Sequence, residues 1–187
     1  MDTFRWIAVV VSMILGLGVT RLLSSAVAVF KSRHRATMDS LPLIWAAVIF
    51  VQQVDFWWSL EELAVLIPRW SFAEFLMLVG LVLLLFLAAA LILPQAEMEA
   101  GDGLRDYFDQ DGRFALLALA MFSLLALVAN LIFWGATIVS VATAINLLLC
   151  GSALVAMMRS RTVQLAACGV YVLVALAGIF QLSPASY

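Results

Sequence analysis

Two charged residues, Arg21 and Asp55, sit deep inside long apolar segments, and any chemistry this chain performs should begin with them. Gln52, Asp55, Ser59 and Glu62 recur at steps of three, four and three, which on a helix places all four along one stripe. A carboxylate near the middle of a bilayer costs roughly 2.5 to 3.5 kcal/mol on insertion scales, so Asp55 needs a partner, water or a proton. Counting from Leu41 at about 1.5 Å per residue puts Asp55 about 21 Å along its segment, with Glu62 near the far boundary. Arg21 lies about 13 to 15 Å inside the boundary marked by Lys31, and its guanidinium reaches several ångströms further. The expected arrangement is an Arg21–Asp55 pair, direct or through one water, with Gln52 and Ser25 completing the hydrogen bonds. Such a pair either staples two helices together or lines a solute path. The competing placement for Arg21 is snorkelling toward lipid phosphate.

A second pattern runs along the same first segment. Ser12, Gly16, Thr20, Ser24 and Ala28 repeat at every fourth position, a ladder of small side chains that lets two helix backbones approach closely. Ser140, Thr143 and Asn146 make a weaker polar stripe further on, and Asn130 is isolated in the preceding segment. These groups are suited to hydrogen bonds between helices.

Several chemistries are excluded by what is missing. His34 is the only histidine, so neither a bis-histidine haem nor a zinc site of the usual His and Cys type has its ligands. The only lysine, Lys31, stands at a segment boundary, which leaves no intramembrane amine for a retinal Schiff base. Cys150 and Cys168 fall inside apolar segments, where cysteine acts as a small buried apolar side chain. Asp109, Asp111 and Gly112 resemble part of a calcium loop, but the remaining ligands and the closing Glu are absent at the required spacing. A helix end in solvent is the simpler reading. No catalytic, nucleotide-binding or cofactor motif stands out, so no cofactor is expected and an enzyme is the less favoured class.

The elements that must hold these residues are membrane helices. Of the 187 residues, 66% are hydrophobic, and about 20 mostly apolar residues suffice to cross a bilayer. The runs at residues 4–30, 41–67, 72–93, 114–134, 138–158 and 163–182 predict an all-α bundle of six transmembrane helices in a single domain, residues 1–187, with short loops. The first run is too long and too poor in preceding basic residues for a cleavable signal, and is expected to be retained as a helix. The longest connector, residues 94–113, divides the chain into three helices and three, an inverted layout that suits a transporter. No internal sequence similarity accompanies it. Within the connector, Leu104, Tyr107 and Phe108 share one face opposite Asp102, Arg105, Asp106 and Asp109, which predicts a short amphipathic segment lying on the membrane surface.

Basic residues give the expected orientation. Lys31, Arg33, Arg35, Arg105, Arg113, Arg159 and Arg161 fall on one side and only Arg5 and Arg69 on the other. The richer side is expected to be cytoplasmic and both termini periplasmic, in a bacterial inner membrane. Trp6, Trp57, Trp58, Trp70 and Trp134 cluster near the outer ends, as an interfacial belt would, with Trp45 near the inner face. The cluster of Lys31, Arg33, His34 and Arg35 serves first as a topology determinant and second as a site for anionic lipid. A net charge of −2 argues against nucleic acid. The function expected is binding or movement of a small solute or ion through the polar site between the first helices. The alternative is a non-catalytic membrane subunit, sensor or scaffold that packs with a partner membrane protein or with itself. Lipids are the remaining expected partners.

Overall fold

The computed structural model describes residues 2–67, 70–133, 135, 137, 139–158 and 160–182. Arg69, Trp134 and Arg159, on which the orientation and belt arguments partly drew, lie outside them. The chain is all-helical, 83% helix, with no strand among the described residues. The helices are α1 (Asp2–Lys31), α2 (Ser40–Leu66), α3 (Phe72–Leu91), the single-turn α4 (Leu104–Tyr107), α5 (Phe114–Phe133), α6 (Val141–Ala156) and α7 (Arg161–Leu182).

Five of these, α1, α2, α3, α5 and α7, are long and apolar enough to cross a membrane. The sixth expected span is shorter than its apolar run. Ser140 caps α6 by accepting the Thr143 N–H at 3.2 Å, and the helix ends at Ala156, leaving 16 residues where the hydropathy pattern suggested 21. Val139, Met157 and Met158 are apolar but lie in the connections, so composition overstated the helix. The end of α3 moved likewise: it stops at Leu91 rather than residue 93, because the residue before Pro94 is steered away from helical geometry.

The long helices pack in the order α1–α3–α5–α6–α7, with α2 outside this row against α1 and α3 and also touching α7. The side of α1 turned to its neighbours carries Val11, Leu15, Gly18, Leu22 and Ser25, all buried. The ladder of Ser12, Gly16, Thr20 and Ser24 is not that packing face. Gly16, Thr20 and Ser24 are exposed, Ser12 is half-buried, and a methyl group added at Gly16 would meet nothing within 4 Å. Packing within the chain therefore runs along the adjacent stripe, where larger apolar side chains gain more dispersion contact than a row of small ones.

Gly18 is the one place on α1 where absence of a side chain is required. A Cβ there would stand against the amide of Gln53 and 3.6 Å from the Cα of Phe86, so α1, α2 and α3 converge on it. Gln53 is buried and its amide donates to the Leu85 carbonyl at 3.5 Å, a hydrogen bond between helices that no periodic pattern in the sequence announces.

The connector is not a surface helix. Leu104 and Phe108 (1% exposed) insert into the end of the bundle with Met98, and α4 runs into a π-turn, Phe108–Gly112, closed by the Arg113 N–H bonding to the Phe108 carbonyl at 2.8 Å. The pairing of one apolar with one polar face was legible, but the apolar face is covered by protein. The connector is tied to the α1–α2 loop by backbone bonds between Thr37 and residues 102–104, and by the Met98 N–H bonding to the Ser32 hydroxyl at 2.9 Å. Glu97 pairs with Lys31 at 3.5 Å and with Arg35. All three are exposed, and such pairs contribute at most about 1 kcal/mol. Glu97→Gln is accordingly expected to leave the thermal midpoint of the purified protein nearly unchanged, and a large drop would show that the connector hangs on this pair.

Deeper at the same end, Arg161 at the start of α7 pairs with Asp39 at 2.6 Å, and Gln164 donates to Asp109 at 3.2 Å. Burial raises the affinity of the Tyr107 hydroxyl for its proton, with Asp111 adding to the shift and Arg21 opposing it. That hydroxyl donates to the Leu91 carbonyl at 3.0 Å. At the far end an aromatic cluster joins α1, the segment before α3 and α5 through Trp70, whose ring lies 6.0 Å from both Phe4 and Phe133.

Candidate functional site

Because α2 leaves the row to lean on α1 and α3, a gap remains between its outer half and α5, α6 and α7. This gap is a cavity of about 330 Å³. Its α2 wall carries Gln52, Asp55, Ser59 and Glu62, the stripe whose three-four-three spacing marked it in the sequence. Asn130 from α5 and Asn146 from α6 face it, and the apolar walls come from Phe56, Phe122, Ile145, Leu149, Ala175 and Ile179. Its residues lie in the half of the bundle away from the connector. A concave, mostly apolar space with a few convergent polar groups has the build of a small-molecule site, and its volume is at the lower end of the range about 300 to 1,000 Å³.

The local reasons for each polar position differ. Ser59 turns its hydroxyl back onto the Phe56 carbonyl at 2.8 Å, so it presents its oxygen rather than a free donor to the cavity. The Asn146 amide donates to Ala142 one turn back at 2.9 Å. The bonds expected between Asn130 and the stripe of Ser140, Thr143 and Asn146 are instead local: Ser140 and Thr143 cap the start of α6, and Thr143 donates to the Thr137 carbonyl at 3.0 Å. Gln52 is 8% exposed and Asp55 is partly buried, yet neither has a hydrogen bond or ion pair with any described residue. Their polar atoms open into the cavity.

Arg21 is not part of this site. It does not line the cavity and makes no ion pair with Asp55. Its guanidinium acts electrostatically on Tyr107 of the connector, and its Nη2 is buried without a partner among the described residues. The depth argument placed both charges near mid-bundle but could not fix their azimuth. Gly18, one turn before Arg21 on α1, meets Gln53 of α2 and Phe86 of α3, whereas Asp55 lines the cavity. Glu61, the neighbour of Glu62, is exposed.

Toward the connector the cavity is closed. Trp45, seven residues before Gln52 on α2, and Tyr171, four before Ala175 on α7, are both fully buried and meet edge to face with ring centroids 5.0 Å apart. Ile49 fills the turn between Trp45 and Gln52. Toward the same end, six residues before Trp45 on the chain and ten before Tyr171, Asp39 and Arg161 form their ion pair. Trp45 and Tyr171 drew no attention as site residues because a buried aromatic leaves no periodic signature that separates plug from core. Among the described residues no group of three or more His, Cys, Asp or Glu is placed to hold a metal ion. No family model, no curated protein and no solved structure matches the chain.

Proposed function

We propose that this is a six-span membrane protein that binds a small solute in the α2–α5–α6–α7 cavity and passes it through the bundle, with α6 as the shortened sixth span. The observation that carries this reading is the pair of cavity-lining polar groups, Asp55 and Gln52, that no group among the described residues satisfies. A folded bundle has little use for an uncompensated carboxylate unless water or a ligand meets it. Basic residues at the connector end, Lys31, Arg33, Arg35, Arg105, Arg113 and Arg161, favour a cytoplasmic placement of that end, and hence a cavity open toward the periplasm of an inner membrane. The Trp45–Tyr171 plug and the connector beneath it are then the inner barrier. Movement requires them to part, and the Trp45 indole N–H, buried with no acceptor among the described residues, suits a position that opens to water.

A second reading draws on the exposed ladder of Gly16, Thr20 and Ser24, which would let another membrane helix approach α1 closely and supports a subunit or scaffold role.

Single cysteines at Gln52, Asn130 and Asn146, in a background lacking Cys150 and Cys168, separate the two readings. With a membrane-impermeant thiol reagent, labelling of all three from the periplasmic side is expected, along with labelling of Asp102→Cys from the cytoplasmic side. Slower labelling of Gln52→Cys from the cytoplasmic side identifies movement, and its absence identifies binding alone. Failure of the three cavity positions to label from either side would refute the solute reading and leave the scaffold. Labelling of Asp102→Cys from outside would invert the orientation.

A further inference from the structure

Resting on the solute-binding reading, the geometry points to a ligand class: an organic cation with an apolar body, its charge on Asp55 and its body against the Phe56–Phe122 wall. Three features of the cavity converge on it. The first is charge. Asp55 and Glu62 are the titratable side chains of the lining, both acidic and both on α2, while α5, α6 and α7 bring no charged residue to it. An anion would be repelled by Asp55, whereas a cation supplies the counter-charge that Asp55 lacks among the described residues.

The second feature is the kind of polar group. Gln52, nine-tenths buried with no partner among the described residues, offers an amide oxygen beside Asp55, and Ser59 and Asn130 stand on the same cavity. The oxygens of these groups can turn their negative ends to an organic cation, but they are spread over two helices with apolar side chains between them. A small hard cation such as calcium takes six to eight oxygens in a tight shell, and among the described residues no cluster of three metal-ligating side chains is present. The third feature is the wall. Phe56 and Phe122 pack edge to face with centroids 6.1 Å apart, and Trp58 lies on the same lining. Aromatic faces favour a desolvated cation and also bury an apolar body.

The test uses three probes that share one ring and differ in charge: benzyltrimethylammonium, benzyl alcohol and benzoate. Each is titrated calorimetrically into the full-length protein in lipid nanodiscs, with empty nanodiscs as the blank. Saturable binding of benzyltrimethylammonium alone, or at least about tenfold tighter than the neutral probe, is expected. Asp55→Asn should weaken it about tenfold to a hundredfold, the range for losing a charged partner. That variant is expected to fold, because no group among the described residues loses a partner with the Asp55 charge. Should it not fold, Ala175→Leu, which narrows the same cavity without altering charge, should abolish binding at an unchanged thermal midpoint. Equal affinity for the three probes, a preference for benzoate, or cation binding untouched by both variants overturns the inference while leaving a solute site intact. Binding of none of the three also overturns it, and the solute reading is then judged separately by cysteine labelling of Gln52, Asn130 and Asn146.

Discussion

Asp39→Ala is expected to destabilise the protein by about 3 to 5 kcal/mol, more than any other single change at the connector end. Two losses combine in it. The Asp39 side chain caps α2 by accepting the Leu41 N–H at 2.8 Å, and an N-cap is worth about 1 kcal/mol. The same oxygen accepts from Arg161 at 2.6 Å, in a pair whose side chains are only 11% and 28% exposed. Removing the carboxylate strands a largely buried guanidinium whose Nη1 already lacks a partner among the described residues. The measurement is the free energy of unfolding in mixed micelles as denaturing detergent is raised, for Asp39→Ala, Asp39→Asn and the double variant Asp39→Ala/Arg161→Leu. Asp39→Asn retains the cap and should recover about 1 kcal/mol. The double variant should recover more, since no charge is left behind. A loss under 1 kcal/mol for Asp39→Ala would mean that the pair is screened by water and does not tie α7 to the α1–α2 loop.

Gly18→Leu is the second large effect. At this position the α3 backbone at Phe86 comes within ordinary contact of an added Cβ, and the Gln53 amide stands closer still. Gly18→Ala can be accommodated if the end of the Gln53 side chain swings away, at the loss of its hydrogen bond to Leu85, and should cost about 1 kcal/mol. The longer side chain of leucine has no such escape, because the α3 backbone at Phe86 stands behind the amide. Overpacking of this kind costs about 1 to 3 kcal/mol beyond the lost bond. Gly16→Leu, two residues away on the exposed face, serves as the control and should be close to neutral. Equal losses at the two positions would show that α1 packs by its ladder after all.

The contrast between Gly16 and Gly18 also shows what the sequence could and could not disclose. Period and spacing identified the helices, their approximate ends and the α2 stripe, because hydropathy and helical geometry act locally and along one axis. Which way a helix is turned is decided by its neighbours. The every-fourth ladder through Gly16 was the visible pattern on α1, whereas Gly18, two residues on, stands between Ile14 and Leu22 and belongs to no ladder, because the close approach needed only one glycine. Arg21 and Asp55 failed to meet for the same reason: their depths agreed and their azimuths did not. The cavity was half legible. Polar residues in an apolar helix announce themselves, so Gln52, Asp55, Ser59 and Glu62 could be found, but Phe56, Phe122 and Tyr171 carry no such mark, and Trp45, placed near the inner face by its position alone, is fully buried. The ends of α6 were misjudged because apolar connections are indistinguishable from apolar helix by composition.

The brevity of α6 has a consequence for the lipid around it. Sixteen residues rise about 24 Å, against a hydrocarbon core of about 30 Å. A bilayer meeting such an element thins locally rather than leave its capped ends in hydrocarbon. The cavity reaches the first turn of α6, at Ala142, so its wall is lowest on that side. Headgroups and water drawn down along α6 would bring the aqueous boundary toward Asn146 and, across the cavity, toward Asp55. On the proposed transport reading, the field that a permeant charge would cross is compressed onto the remaining depth between Gln52 and the connector, so most of the membrane potential would fall across the Trp45–Tyr171 plug.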